Sequence, residues 1–406
     1  MTEADRLERD LATWLDDTAV PSVPDYVGDI VRDATRHRQR PRWTFVGRWL
    51  PAPIATLDLR RPPIRWGALV ALVTLALLLA AIAAFVGSRQ QVPPPFGLAS
   101  NGLVTFTRGG DILTFDPSSG IEAPLLPGPE TDIDPTWSLD GTRVAFIRQT
   151  ANGDVMGFVD RDGGRPVFSS ESWHPIDMDS VAWSPDGRGV GFAGGPDGAQ
   201  DFYFVDAFTG RASRLPLTNP VLDPVWRPPD GRELMYLSDG PEPGLWLYSL
   251  DDDSQKKIVA QSGEDLRPRG WSPDGKRFVY TTTTETDPWF TTDIVDVASG
   301  EKVHFDAGPG RLSNDGTRVV AYRLINEAFF LCVADAAGGP CFTFGGPRAE
   351  PDPTHGDALN WSPDDQWVIT DPGRAGSEVV LVDPAGIKDD VVLAADGAGS
   401  WQRRAP

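Results

Sequence analysis

The chain has 406 residues with 42 glycines, 38 prolines, 14 tryptophans and a formal net charge of −21. Residues 1–65 hold eleven Arg against ten Asp or Glu, near +1, so the remainder carries about −22 (−21 minus +1). A domain that acidic repels phosphate backbones, which excludes nucleic acid as its partner, and glycine and proline spread along the whole length point to many tight turns rather than a low-complexity linker.

The first 65 residues read as a short helical head. Leu7, Leu11, Trp14 and Leu15 recur at helical spacing, as do Val27, Ile30, Val31 and Ala34 after a start at Pro24 and Asp25. Neither helix can bury a core alone, so each needs the other, a cytoplasmic regulatory partner or the membrane surface. The arginines from Arg36 onward suit anionic lipid headgroups.

Trp66 to Val86 follows: 21 residues with no charge and one hydroxyl. As a helix it would extend about 30 Å, the thickness of a bilayer core. It lies too far from the N-terminus for a cleavable signal peptide and is too uniformly apolar for a surface helix. Before it stand Arg36, Arg38, Arg40, Arg42, Arg48, Arg60, Arg61 and Arg65 against Asp58; after it, Arg89 stands alone before Pro93-Pro94-Pro95. The positive-inside rule predicts a single-pass protein of the cell membrane with a cytoplasmic N-terminus and everything past Val86 outside. A proline-rich linker, residues 87–97, would join the span to the rest.

Past Gly97 a unit recurs. It reads Trp137-Ser-Leu-Asp-Gly141, Trp183-Ser-Pro-Asp-Gly187, Trp226-Arg-Pro-Pro-Asp-Gly231 and Trp271-Ser-Pro-Asp-Gly275. Leu312-Ser-Asn-Asp-Gly316 loses the tryptophan, Trp361-Ser-Pro-Asp-Asp365 loses the glycine, and Trp401 stands in a final SWQRR. The intervals of 46, 43, 45, 41, 49 and 40 residues match one propeller blade. Ser-Pro-Asp-Gly is turn sequence, since proline presets φ, aspartate bonds its own backbone and glycine takes positive φ. Apolar strand formers follow each turn, as in Val144-Ala-Phe-Ile147 and Phe278-Val-Tyr280.

In these repeats residues 98–406 resemble the TolB-like propellers and, more distantly, the WD-repeat propellers. The resemblance implies an all-β fold in which the tryptophan strand is the innermost of each blade. Seven such strands are present. Leu103 to Leu126 has outer strands but no tryptophan strand before it, and Trp401 has nothing after it, so each completes the other. The expected fold is a seven-bladed β-propeller closed by the C-terminal strand, preceded by the helical head and one transmembrane helix.

Motifs for catalysis are scarce. The four histidines, His37, His174, His304 and His355, stand in no HExxH; there is no GxSxG or CxxC, and Ser254-Gln-Lys-Lys257 falls on a charged turn. Five residues follow Trp401, so no hydrolase domain follows the ring. No cofactor and no metal are expected, and the chain is read as a binding protein rather than an enzyme. Cys332 and Cys341, on neighbouring strands outside the cytoplasm, can oxidise to a disulfide; two buried thiols are the alternative. Asp132, Asp134, Asp177, Asp179, Asp223, Asp265 and Asp357 precede the tryptophan strands. They would either ring one mouth of the channel and bind a cation or basic segment, or cap separate turns.

Three functions are open. The first is a membrane-anchored binding or sensing propeller that recognises a protein, peptide or glycan outside. The second is an anti-sigma-factor-like regulator, which the head–span–outer-domain layout resembles, although this head lacks the cysteines of the zinc motif many such heads carry. The third is a propeller enzyme of hydrolase or lactonase type using carboxylates at the channel mouth.

Overall fold

The computed structural model describes residues 72–75, 93–173, 181–194, 201–217, 219–284, 291–348, 359–370, 378–397 and 399–405. The chain divides into two compact units, Met1–Arg89 and Gln90–Pro406. In the first, residues 72–75 are helical and exposed. The two expected head helices and the rest of the expected 66–86 span lie outside the described residues. Among the described residues no helix is long and apolar enough to cross a membrane.

The second unit is built of strands that the turn signature delimits. Blade 1 contains β1 (Ser100–Arg108), β2 (Asp111–Asp116) and β3 (Ile121–Leu126), and blade 2 contains β4 (Thr131–Trp137), β5 (Arg143–Thr150), β6 (Gly153–Asp160) and β7 (Val167–Phe168). Blade 3 has β8 (Ala182–Trp183), β9 (Gly189–Gly194), β10 (Asp201–Asp206) and β11 (Ala212–Arg214); blade 4 has β12 (Leu222–Trp226), β13 (Glu233–Ser238), β14 (Gly244–Ser249) and β15 (Gln255–Ala260). Blade 5 comprises β16 (Glu264–Trp271), β17 (Arg277–Thr284), β18 (Thr291–Asp296) and β19 (Lys302–Phe305). Blade 6 comprises β20 (Gly310–Leu312), β21 (Arg318–Ile325), β22 (Ala328–Asp335) and β23 (Phe342–Arg348). Blade 7 comprises β24 (Asn360–Trp361), β25 (Val368–Thr370), β26 (Glu378–Val382) and β27 (Val391–Ala394), and β28 (Ser400–Arg404) returns to blade 1. The result is seven four-stranded antiparallel sheets, with β28 lying beside β1 as the innermost strand of the first. Ser100 pairs with Arg404 and Val104 with Trp401, so the two ends of the domain close one blade.

The core lies between blades. Phe158 of blade 2 packs with Trp183, Val190 and Phe192 of blade 3, and Val104 and Phe106 of blade 1 pack with Ile369 and Leu381 of blade 7. Each such buried side chain is worth roughly 1.5–3 kcal/mol, so neighbouring blades stabilise each other. A blade alone would leave one face in water.

The signature turns work the same way in blades 2, 3, 5, 6 and 7; in blade 4 Arg227 replaces the serine. Ser138 Oγ donates to Asp140 Oδ1 at 2.6 Å and accepts from Arg143 N–H at 3.0 Å. Ser184–Asp186, Ser272–Asp274, Ser313–Asp315 and Ser362–Asp364 repeat the first contact. The signature glycine is needed twice over. It has φ of +64° at Gly231, and a Cβ there would come within 2.1 Å of Pro185 in the preceding blade's turn.

Cys332 on β22 is disulfide-bonded to Cys341, which immediately precedes β23, with 5.4 Å between the Cα atoms.

Candidate functional site: the central channel

The innermost strands β4, β8, β12, β16, β20, β24 and β28 surround a cavity of about 460 Å³. The first six end at the tryptophan position of their repeats, whereas β28 runs past Trp401 to Arg404, and distance in sequence from that position sets height along the channel. One mouth lies where the strands begin; the other lies at the signature turns.

The tryptophans are stitches between blades. Trp183 Nε1 donates to Thr136 O at 3.0 Å, Trp226 Nε1 to Ala182 O at 3.3 Å and Trp361 Nε1 to Arg311 O at 3.1 Å. Each acceptor is the residue just before the tryptophan position of the preceding blade. Trp137, Trp271 and Trp401 bury Nε1 without such an acceptor. Trp271 follows a register shift between Pro268 and Gly270, and Trp401 and Trp137 flank the closure of blade 1.

At the strand-start mouth, Asp134 and Asp223 line the cavity. Each stands three residues before its tryptophan and directly before a proline, at a register shift and with φ of 53° and 47°. The bulge turns the aspartate inward from the alternation of its strand. Asp223 is paired with Arg267 of the next blade at 2.9 Å. Asp132 points elsewhere: it is buried (1% exposed) and held by Arg148 at 2.7 and 2.8 Å. Asp265 is exposed and does not line the cavity, and Asp177, Asp179 and Asp357 lie outside the described residues. Of the four described aspartates, the channel brings together Asp134 and Asp223. The acidic ring read from the sequence is not assembled among the described residues.

Arginines line the same cavity, Arg267 at the level of Asp223 and Arg269, Arg311 and Arg403 deeper in. Arg269 is buried and donates Nε to Thr281 Oγ1 at 3.2 Å, and Arg311 reaches the carbonyl of Arg269. Arg403, 9% exposed, stands two residues past Trp401 at the turn end of the channel. Its guanidinium donates to Asn314 Oδ1 at 3.1 Å and to the carbonyls of Pro94 and Gly97, while Nε has no partner. Burial, eased by the nearby Asp365 carboxylate, pulls Arg403 down to about 10 from 12.5. Among the described residues the lining thus carries four guanidinium groups against two carboxylates. Reasoning from sequence missed the arginines because strand alternation alone does not say which residues of these short, polar strands face the channel; the available signal was a charge one to four residues before, or just after, the tryptophan position of a repeat.

The turn mouth is crossed by the chain itself. Phe96 packs against the cluster that holds Trp226 and lines the cavity, a Cβ at Gly97 would stand 3.9 Å from Pro273, and Ala99 N–H donates to Pro363 O at 2.9 Å. Phe96 is the residue of this segment that reaches the channel, and its neighbours are held at the signature turns.

His304, the one histidine among the described residues, is remote from this cavity. It lies on β19 with Nδ1 2.7 Å from the buried carboxylate of Asp293, which also accepts from Lys302 Nζ at 3.1 Å. No serine or cysteine nucleophile contacts it among the described residues.

No family model matches the chain. Among curated proteins it is 33% identical over 81 residues to the Tol-Pal system protein TolB of Alcanivorax borkumensis, covering 19% of this chain and 18% of that protein. The ring carries a TolB-like seven-bladed β-propeller. The chain is also 24% identical over 186 residues to the uncharacterized peptidase YuxL of Bacillus subtilis, covering 44% of this chain and 26% of that protein. It thus spans under a third of the length of both curated relatives. Among solved structures, the oligogalacturonate lyase of Vibrio parahaemolyticus superposes with a TM-score of 0.50 at 14% identity, covering 68% of this chain and 89% of the lyase.

These likenesses correct one expectation. The sequence holds no catalytic motif in its repeats and is therefore expected to encode a binding protein rather than an enzyme. The lyase is an enzyme of which the match covers 89%, and part of the chain also matches a protein named as a peptidase. A propeller of this fold without such motifs is therefore no argument against catalysis.

Proposed function

We propose that the TolB-like propeller admits a carboxylate-bearing segment of a protein, peptide or glycan through its strand-start mouth and holds it on the channel arginines. The observation that carries this reading is the cluster of Arg269, Arg311 and Arg403 in one cavity closed at the far end by Phe96. Guanidinium forks match carboxylate geometry, and a narrow low-dielectric channel strengthens the attraction. The sign of the cavity opposes that of the domain, which is strongly acidic overall. An anion carried on an acidic partner would be repelled at long range, so the fitting partner is neutral or basic outside its acidic tip. Binding alone and binding followed by turnover both begin with this step. The propeller is proposed to work outside the cytoplasm, tethered by the 66–86 span, with the arginine-rich head against lipid or a cytoplasmic regulatory partner.

Tryptophans line the cavity and supply the readout. Titrating the full-length protein with the peptide acetyl-Glu-Glu should change its tryptophan fluorescence, and the corresponding diamide should not. Arg311→Gln should weaken that response at least about tenfold, the loss of one charge-assisted contact. Equal responses to acid and diamide would overturn the reading.

A further inference from the structure

Departures from the signature in blades 6 and 7 meet. Asn314 stands where the regular turns of blades 3, 5 and 7 have proline, and Asp365 where every other signature turn has glycine. Asp365 is buried, with φ of 58°, and its carboxylate accepts from Asn314 N–H at 2.8 Å, Asn314 Nδ2 at 2.8 Å and Asp315 N–H at 2.9 Å. A proline at 314 would have no N–H to give. The amide oxygen of Asn314 is then aimed at Arg403 Nη1 at 3.1 Å, and the other end of that guanidinium holds Pro94 O and Gly97 O. The two irregular turns of blades 6 and 7 thus build a seat for one arginine, and that arginine pins the chain segment crossing the turn mouth.

Arg403 also lines the ligand cavity. It is a buried cation whose partners are neutral oxygens and whose Nε is unpartnered, so an anion reaching the turn end of the channel offers it more than two backbone carbonyls do. We infer that Arg403 is a switch contact: an anionic ligand in the channel draws its guanidinium off Pro94 and Gly97 and loosens residues 93–99, so that occupancy of the ring is passed to the segment leading to the N-terminal unit. This inference rests on the anionic-ligand reading of the channel. The charge on Arg403 is used in both states, and no covalent step is involved.

The readout is the rate of chymotryptic cleavage after Phe96 in the full-length protein, with acetyl-Glu-Glu as the probe. Saturating probe should raise the rate at least about fivefold. Arg403→Met should show the raised rate without probe and no further response, and Arg403→Lys, which keeps the charge but not the fork, should fall between. Near-ultraviolet circular dichroism checks that the ring of each variant remains folded. A protected linker in a folded Arg403→Met protein overturns the inference, as does bound probe, seen by fluorescence, with no change in cleavage. If the probe does not bind, the anionic-ligand reading and the coupling built on it both fail, while the Arg403→Met cleavage rate still reports whether the pin exists.

Discussion

Asp365 occupies the left-handed turn position that glycine fills elsewhere, and its carboxylate reaches the Asn314 amide, which a proline would lack, and the Asp315 amide. Asp365→Gly should therefore cost about 1 kcal/mol, because the part-buried amides of Asn314 and Asp315 lose their acceptor. Asn314→Pro alone should also destabilise, by stranding one lobe of the Asp365 carboxylate. Made together, the two changes restore the common signature and should cost less than the sum, with a coupling of about 1 kcal/mol or more in urea melts. Strictly additive losses would show that the turns are independent. Both departures were visible in the sequence as defects in a repeat; their pairing was not, because it needs blades 6 and 7 side by side. Tyr248 offers a second test. Burial, with Asp253 accepting its hydroxyl proton, pushes it up to about 12 from 10.0. A raised folded value means the contribution is complete below 10.0 and is lost as pH rises through about 12. Tyr248→Phe should flatten the alkaline limb of the stability curve over that window, measured by urea midpoints; an unchanged limb would exclude Tyr248 as its cause.

At the scale of elements, β28 is short but closes the ring. Removing residues 395–406 strips β1 of its inner neighbour, removes buried Trp401 and deprives Leu103 N–H and Gly141 O of Gln402. Loss of Trp401 alone should cost about 3–5 kcal/mol. The truncated ring should melt far below the intact one and bind a hydrophobic dye; a melt within a degree or two would contradict closure by β28. The disulfide closes a loop of nine-residue separation, so its reduction should cost on the order of 2–3 kcal/mol and leave the ring folded. These elements were readable from sequence because period, turn chemistry and strand pattern agreed at each repeat. The channel charge was not, because inward or outward aim depends on the bulges at Asp134-Pro135 and Asp223-Pro224 and on the ion pair that buries Asp132. A bulge shifts facing by one residue, and a one-residue slip exchanges the faces of a strand.

For the whole molecule, tether and ring make separate commitments. The proposed topology requires cysteine probes in residues 98–406 to react with impermeant reagents in intact cells, and probes in residues 1–40 to stay unreacted. The reverse pattern would place the propeller inside. The closure of blade 1 has a mechanical side. Ser100 pairs with Arg404 and Thr105 with Ser400, so the linker end of β1 and the C-terminal end of β28 lie together. Tension between the linker and the C-terminus loads the β1–β28 ladder one pair at a time, as a zip rather than in shear. Trp401 of this blade and Trp137 of the next are also among those without a stitch to the preceding blade. A pull applied along the tether against a held C-terminus should part β28 from β1 at low force, while the other six blades, each closed within its own hairpins, yield later.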